Sequence, residues 1–124
     1  MTIGEAIEII DRTQPNQIEV TEKVRWLSEL DGKIFHEIMV PHRGFEWVKY
    51  KPYAPDVPQE HQLLVPHPYD ALYPDYLEMR IADENRETYQ YNNAMQKYNA
   101  KLQEYMDFVN RNFPSRNMRS FRLW

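Results

Sequence analysis

The chain has 124 residues, of which 42% are hydrophobic, 14% aromatic and 27% charged, and its formal net charge at pH 7 is -4. This composition excludes an intrinsically disordered protein and fits one folded domain with a modest core, to which burial between subunits would add stability. The absence of cysteine excludes disulfides, thiolate metal sites and cysteine nucleophiles. No apolar run approaches the roughly 18 residues that span a bilayer, and the N-terminus carries acids where a signal peptide carries basic residues, so we expect no membrane span and no export.

The charge is distributed unevenly along the chain. The first 110 residues hold all 19 acidic side chains and 11 basic ones, whereas residues 111–124 contain four arginines and no acid. An acidic body repels nucleic acid phosphates, so a sequence-specific DNA reader is disfavoured. The basic end suits contact with an acidic protein or a phosphate.

A short first helix is predicted over residues 3–13. Thr2 and Glu5 have the spacing of a capping box, in which the hydroxyl and the carboxylate satisfy amides of the first turn. Apolar residues then recur at helical spacing until Pro15, which ends the element.

A second helix is predicted over about residues 21–40, with Thr21 as its cap. Its apolar residues keep the three-and-four spacing of a buried stripe, and Pro41 closes it. Gly32 lies inside this helix, where glycine costs about 1 kcal/mol relative to alanine, so it indicates either a close helix contact or a local bend.

A Pro-rich loop with a small β-hairpin is predicted over residues 41–68. The segment contains six prolines, and its runs "FEWVKY" and "HQLLV" are β-prone. Because two strands alone are marginally stable, Phe45, Trp47 and Leu64 must pack on the helices or on another subunit. These three residues form the candidate loop interface.

The sequence becomes helical again over residues 70–113. Neither glycine nor proline interrupts residues 75–113, which predicts a long C-terminal helix, either continuous or kinked near residues 84–88. A continuous helix of about 38 residues would be roughly 57 Å long, so neighbouring subunits would have to cover part of it. The predicted fold class is therefore all-α: a small helical bundle in one domain over residues 1–114, followed by an extended C-terminal tail over residues 115–124.

The long helix carries an aromatic seam at alternating steps of four and three residues. Its members are Tyr91, Met95, Tyr98, Leu102, Tyr105 and Val109. Such a seam is typical of a core or of a subunit interface, and ligand stacking is a minor third alternative. Tyrosine hydroxyls need water or a partner, which favours a partly wet contact.

The histidines and acidic residues, which could act in catalysis or bind a metal, form no recognisable catalytic or metal-binding pattern. The four histidines, His36, His42, His61 and His67, do not pair at the i, i+4 spacing of a helical metal site. Acid pairs such as Asp75 with Glu78 are typical of a solvated helix face. No Gly-rich phosphate loop or nucleophile elbow is present. We predict no enzymatic activity, no cofactor and no metal.

The tail combines basic and large apolar side chains, which are characteristic of interface anchors. The predicted partner-binding residues are Arg116, Arg119, Phe121, Arg122, Leu123 and Trp124. The alternative is that the tail folds back onto its own domain, as termini often do.

Several blocks of sequence carry a resemblance to a known family. The runs "RWLSELDGKI" and "LLVPHPYDALY", together with "YNNAMQKYNAKLQEYMDFVNR", resemble the small head-tail connector (adaptor) proteins of tailed double-stranded DNA phages, and the similar blocks cover most of residues 5–111. The family pattern often has a glycine in the segment that corresponds to "ADENRE", and this chain has none.

The resemblance implies a helical protomer in a homo-oligomeric, dodecameric ring. Such a ring would bind the portal protein on one side and tail-side connector or stopper proteins on the other, with DNA only as non-specific passage. The protein would be made in the host cytoplasm and reside in the virion at the head-tail interface, and its residues 115–124 would dock on the portal. A freestanding helical oligomerisation or regulatory module is the alternative.

Overall fold

The computed structural model describes residues 1–116, and most of these residues are helical. The four helices are α1 (Ile3–Thr13), α2 (Val20–Ile34), α3 (Leu72–Glu84) and α4 (Thr88–Asn112). A π-helical turn, Phe35–Met39, continues α2, and a 3-10 turn, Tyr69–Ala71, precedes α3. No β-strand occurs between residues 1 and 116, so the all-α prediction is confirmed for this part of the chain.

Helix α1 begins at the capping box that the sequence indicates. The Thr2 hydroxyl accepts from the Glu5 amide at 3.1 Å, and the Glu5 carboxylate accepts from the Thr2 amide at 2.8 Å. The apolar side chains at helical spacing are all buried; they are Ile3, Ala6, Ile7 and Ile10. The helix thus covers the range that its local pattern predicts.

Helix α2 begins one residue before the predicted start and ends in the π turn. Its N-cap residue is Glu19, which makes no side-chain cap bond, so the expectation that Thr21 caps the helix is wrong. A Cβ on Gly32 would lie 3.1 Å from the Tyr50 hydroxyl. Gly32 therefore permits a close approach, and the approaching group belongs to the Pro-rich segment rather than to another helix.

The long C-terminal helix is broken into two, so the continuous alternative is wrong. Residues 85–87 link α3 to α4, and Arg86 takes a φ of 58°. The Arg86 amide donates to the Asp83 carbonyl at 3.1 Å, and the Glu87 amide donates to the Ala82 carbonyl at 2.8 Å. These bonds form a Schellman motif, which normally has glycine at the left-handed position. Here arginine takes that position, so no glycine signals the break.

The break allows α4 to fold back antiparallel against α3. Lys97 binds Glu78 at 2.9 Å, and Lys101, one turn later on α4, binds Asp75, one turn earlier on α3. The rings of Tyr76 and Tyr98 lie between these ion pairs, with centroids 5.2 Å apart. A continuous helix would leave the buried face of α3 without this cover.

Replacing Arg86 with glycine should raise the free energy of unfolding by up to about 1 kcal/mol. A left-handed conformation costs a non-glycine residue about 1–2 kcal/mol, and glycine gives back part of this gain through its larger unfolded-state entropy. Thermal unfolding followed by circular dichroism checks the expectation as a rise in melting temperature of about 4 °C. Arg86→Ala is the control, because alanine keeps the strain and should give no rise.

The β-hairpin predicted within residues 41–68 is not formed. Between residues 1 and 116 the only β pairing consists of two isolated bridges, Thr2 with Gln62 and His42 with Ser115. The backbone of the segment instead bonds to side chains of the helices: the Tyr53 amide donates to the Ser28 hydroxyl at 3.0 Å. The β-prone runs therefore wrap around the helices and do not pair with each other.

Candidate functional site

The three residues of the predicted loop interface meet at one apolar depression of about 240 Å³, which we call the aromatic cleft. It lies between the Pro-rich segment, the π turn and the C-terminal end of α4. Its lining residues are Met39, Phe45, Trp47, Val48, Leu64, Pro66, Tyr105, Phe108 and Phe113. Phe45 and Leu64 thus pack against the core of their own chain, whereas Trp47 does not pack on the helices and leaves one side of the cleft open.

A tight turn at Gly44 fixes one wall of the cleft. Gly44 has a φ of 112°, and a Cβ at this position would lie 2.6 Å from the ring of Phe113. The ring of Phe45 stacks on Phe113 with centroids 4.3 Å apart. The Gly44 amide donates to both carboxylate oxygens of Glu46 at 3.0 Å. These hydrogen bonds, together with the positive charge of the nearby Arg116, lower the pKa of the Glu46 carboxylate. Only glycine fits this turn without moving Phe113.

Trp47 forms the exposed rim of the cleft. Its side chain is 78% exposed, although its indole Nε1 donates to the Gly44 carbonyl at 3.1 Å. The ring is therefore held in place while most of its surface remains in contact with water. Exposed, oriented tryptophan is a common anchor of protein interfaces.

The chain leaves the helical body beside this cleft. The Arg43 amide donates to the Pro114 carbonyl and the Arg116 amide donates to the Pro41 carbonyl, both at 2.8 Å. The Arg116 guanidinium donates to the Val40 carbonyl at 2.6 Å and to Glu46 at 2.9 Å. Arg116, predicted to bind a partner, is thus bound to its own chain. The other tail residues of that prediction lie outside the described residues; they are Arg119, Phe121, Arg122, Leu123 and Trp124.

The aromatic seam of α4 divides into a buried end and a half-buried remainder. Tyr105 and Val109 are only 1% and 0% exposed, and burial raises the pKa of Tyr105 to about 12. The half-buried members are Tyr91, Met95, Tyr98 and Leu102. The C-terminal end of the seam therefore belongs to the core, and the rest lies at the surface.

Part of that remainder lines a second apolar depression, which we call the α2–α4 groove. It measures about 180 Å³, and its apolar side chains are Leu30, Ile34, Ile38, Tyr98, Leu102 and Met106. Lys33 and Glu37 line its charged edge. Burial is the main cause of a raised pKa at Tyr98, so this phenol stays neutral at physiological pH.

A buried polar cluster around Asp31 ties the Pro-rich segment to the helices. The Asp31 carboxylate is 0% exposed and accepts hydrogen bonds from the Tyr73 hydroxyl at 2.5 Å, the Tyr53 hydroxyl, and the Leu64 amide at 3.1 Å. Burial raises the pKa of Asp31 and outweighs the opposite effect of the three donors. The Tyr73 hydroxyl also accepts from the Val65 amide at 2.8 Å. The cluster positions Leu64, and with it one wall of the aromatic cleft.

Sequence reasoning missed this cluster, although the pattern contained a signal for it. Asp31 occupies a position four residues after Leu27 and three before Ile34, on the stripe that helical spacing predicts to be buried. A carboxylate on a buried stripe requires hydrogen-bond donors from elsewhere in the fold. Their identity could not be inferred, because Tyr53 and Leu64 come from distant parts of the sequence.

The described residues contain neither a metal-binding cluster nor a membrane-spanning helix. Across residues 1–116, no three His, Asp or Glu side chains gather as a metal ion would require. Among the described helices, none has the length and apolar character needed to cross a membrane. Comparison of the chain with protein families, curated proteins and solved structures finds no match. The resemblance to head-tail connectors therefore rests on the sequence blocks alone.

Proposed function

We propose that the protein is a structural virion protein of a tailed double-stranded DNA phage, a head-tail connector that works by assembly and not by catalysis. Copies of the chain form a ring, dodecameric as the resemblance implies, between the portal protein and the tail-side connector or stopper proteins. DNA passes through this ring without specific contacts. The proposal is supported by the sequence resemblance together with the surface of α4.

The observation that carries the proposal is the open α2–α4 groove. In one copy, the groove side chains from α4, Tyr98, Leu102 and Met106, are only half-buried, and they lie over the buried Leu30, Ile34 and Ile38. Contiguous apolar surface of this kind marks an interaction site. A ring needs two different contact surfaces on each copy, so that each subunit binds its neighbour head to tail. The groove supplies one such surface, and the exposed Trp47 and Tyr89 are candidates for the other.

The charge of the chain is compatible with a DNA passage. The first 110 residues hold an excess of eight acidic over basic side chains, which repels phosphates and prevents tight binding. The four arginines of residues 111–124 directly follow this acidic body in the sequence. The basic C-terminal segment can therefore bind an acidic partner while the acidic body leaves the DNA free to move.

Adding a charge to the groove should abolish ring assembly and leave the protomer folded. Leu102→Asp places a carboxylate among apolar side chains and near Glu37, so a neighbour that buries the groove would have to desolvate it. Native mass spectrometry and electron microscopy, after co-expression with the portal protein, should show a ring for the wild type and none for the variant. Asn99→Asp is the matched control, because Asn99 is exposed on α4 and does not line the groove.

Removing residues 117–124 tests the other half of the proposal. This deletion keeps the hydrogen bonds of Arg116, so the helices should remain folded and the circular dichroism spectrum should be unchanged. Docking on the portal should be lost. A truncated chain that still docks would refute the role of the tail. A stable wild-type dimer that ignores the portal would refute the ring and favour the freestanding oligomerisation module.

A further inference from the structure

We propose that the aromatic cleft binds the C-terminal segment of the same chain, residues 117–124, when no partner is present. This inference goes beyond the connector function and does not depend on it. It rests on the dimensions of the cleft, the chemistry of the segment and the point at which the chain leaves the described structure. Those three observations are independent of one another.

The cleft is large enough and apolar enough to take an aromatic side chain. Its volume is about 240 Å³, and an apolar cavity of about 150 Å³ already takes up benzene in another protein. Its walls include the rings of Phe45, Phe108 and Phe113. Filling the cleft would remove this surface from water, at a gain of roughly 25 cal/mol for each Å² buried.

The C-terminal segment has the chemistry that the cleft requires. Residues 117–124 read "NMRSFRLW", so Phe121, Leu123 and Trp124 offer large apolar side chains within four positions. Arg119 and Arg122 alternate with them, and no acid is present. Arginine stacks favourably on exposed aromatic rings, and Trp47 presents such a ring at the rim.

The last described residue, Arg116, lies at the edge of the cleft. Arg116 is bonded to Val40 and Glu46, and Glu46 is the residue between Phe45 and Trp47. Phe121 follows five residues later, and five extended residues reach up to roughly 17 Å. The tether is therefore long enough for Phe121 or Trp124 to enter the cleft of its own chain.

The short tether also favours binding of the segment to the cleft of its own chain over the cleft of a neighbouring copy. A segment joined through a few residues meets its site at an effective concentration in the millimolar range. A second copy at micromolar concentration competes poorly with this. A partner that binds the same segment must then displace it from the cleft. The segment therefore has two alternative states, bound to the cleft or bound to the partner.

A peptide competition measurement on the full chain tests the proposal without any portal protein. The probe is the synthetic peptide NMRSFRLW, and its binding is measured by isothermal titration calorimetry. A full-chain variant with Phe121→Ala and Trp124→Ala leaves the cleft empty and should bind the peptide at least tenfold more tightly than the wild type does. Ser120→Ala is the control variant and should behave as the wild type.

Two further measurements locate the site and its occupant. Adding Trp47→Ala to the double variant should weaken peptide binding at least tenfold, because it removes the rim of the cleft while the exposed ring contributes little to folding. The fluorine resonance of 5-fluorotryptophan at Trp47 should differ between the wild type and the double variant, and this difference should not change with protein concentration.

Three results would overturn the proposal. Equal peptide binding by the wild type and the double variant would show that the segment does not occupy the site. Binding that is unaffected by Trp47→Ala would place the site elsewhere. A wild-type dimer that dissociates in the double variant would assign the segment to the cleft of a second copy. Because no portal protein is used, each of these results is independent of the ring and docking experiments.

Discussion

Replacing Asp31 with alanine should lower the free energy of unfolding by about 3–5 kcal/mol, because one buried donor and two partly buried donors lose their acceptor. The Tyr53 and Tyr73 hydroxyls and the Leu64 amide all donate to this carboxylate. The loss is a large share of the 5–15 kcal/mol that stabilises a domain. Urea unfolding at pH 7 checks the expectation, which corresponds to a fall in midpoint of roughly 2 M.

Two conservative variants separate the hydrogen bonds from the packing. Asp31→Asn keeps an acceptor oxygen for Tyr53 and Leu64 but turns a donor towards the Tyr73 hydroxyl, so it should cost about 1–2 kcal/mol. Tyr53→Phe removes one donor and leaves the carboxylate with two, and it should have an effect of similar size. Equal stability of the alanine variant and the wild type would show that the cluster does not tie the Pro-rich segment down.

The same cluster should give stability a dependence on pH with a defined sign. Burial raises the pKa of Asp31, so the folded protein retains a proton that the unfolded chain has already released. The contribution of Asp31 to stability is therefore complete below its ordinary pKa of about 3.9 and decreases as pH rises through the raised pKa. The difference in unfolding free energy between the wild type and Asp31→Asn should follow this course. A difference that grows in favour of the wild type as pH rises would contradict the raised pKa.

The parts of the fold that local signals determine could be predicted from the sequence. Helix α1 has its start fixed by the Thr2 capping box and its end set by Pro15, and both signals act within a few residues. The break after Glu84 lacks such a signal, since Arg86 takes the left-handed position usually given to glycine. Packing of α4 on α3 compensates the cost of that conformation, and such long-range compensation cannot be seen in a local pattern.

The Pro-rich segment shows why the site could be predicted only in outline. Its surplus of large apolar residues indicated that Phe45, Trp47 and Leu64 must pack on something, because the segment has no core of its own. β propensity then suggested a hairpin, but propensity for strands depends on the partner that is available. Here the Leu64 amide bonds to Asp31, 33 residues away, and this bond replaces a ladder bond. The sequence indicated the residues that the Pro-rich segment contributes to the cleft. It did not indicate the α4 residues that form the other walls.

On the aromatic seam of α4, two double substitutions should differ clearly in how much they lower the free energy of unfolding. Tyr105→Ala with Val109→Ala should lower the free energy of unfolding by at least about 4 kcal/mol, because both side chains are fully buried and Tyr105 packs on Tyr69 with ring centroids 5.8 Å apart. Tyr98→Ala with Leu102→Ala should cost only about 1–3 kcal/mol, because these side chains are half-buried at the open groove. Urea unfolding of the isolated protein measures both.

The groove pair should instead show its main effect in assembly. If a neighbouring subunit covers the α2–α4 groove, the Tyr98 and Leu102 double variant remains folded as a monomer and forms no ring, since truncation removes the apolar surface that the neighbour would bury. Size-exclusion chromatography with light scattering, in the presence of the portal protein, measures ring assembly separately from stability. A variant that loses several kcal/mol of stability and, once folded, still assembles would place Tyr98 and Leu102 in the core. In that case the ring contact must be sought at another surface of the protomer.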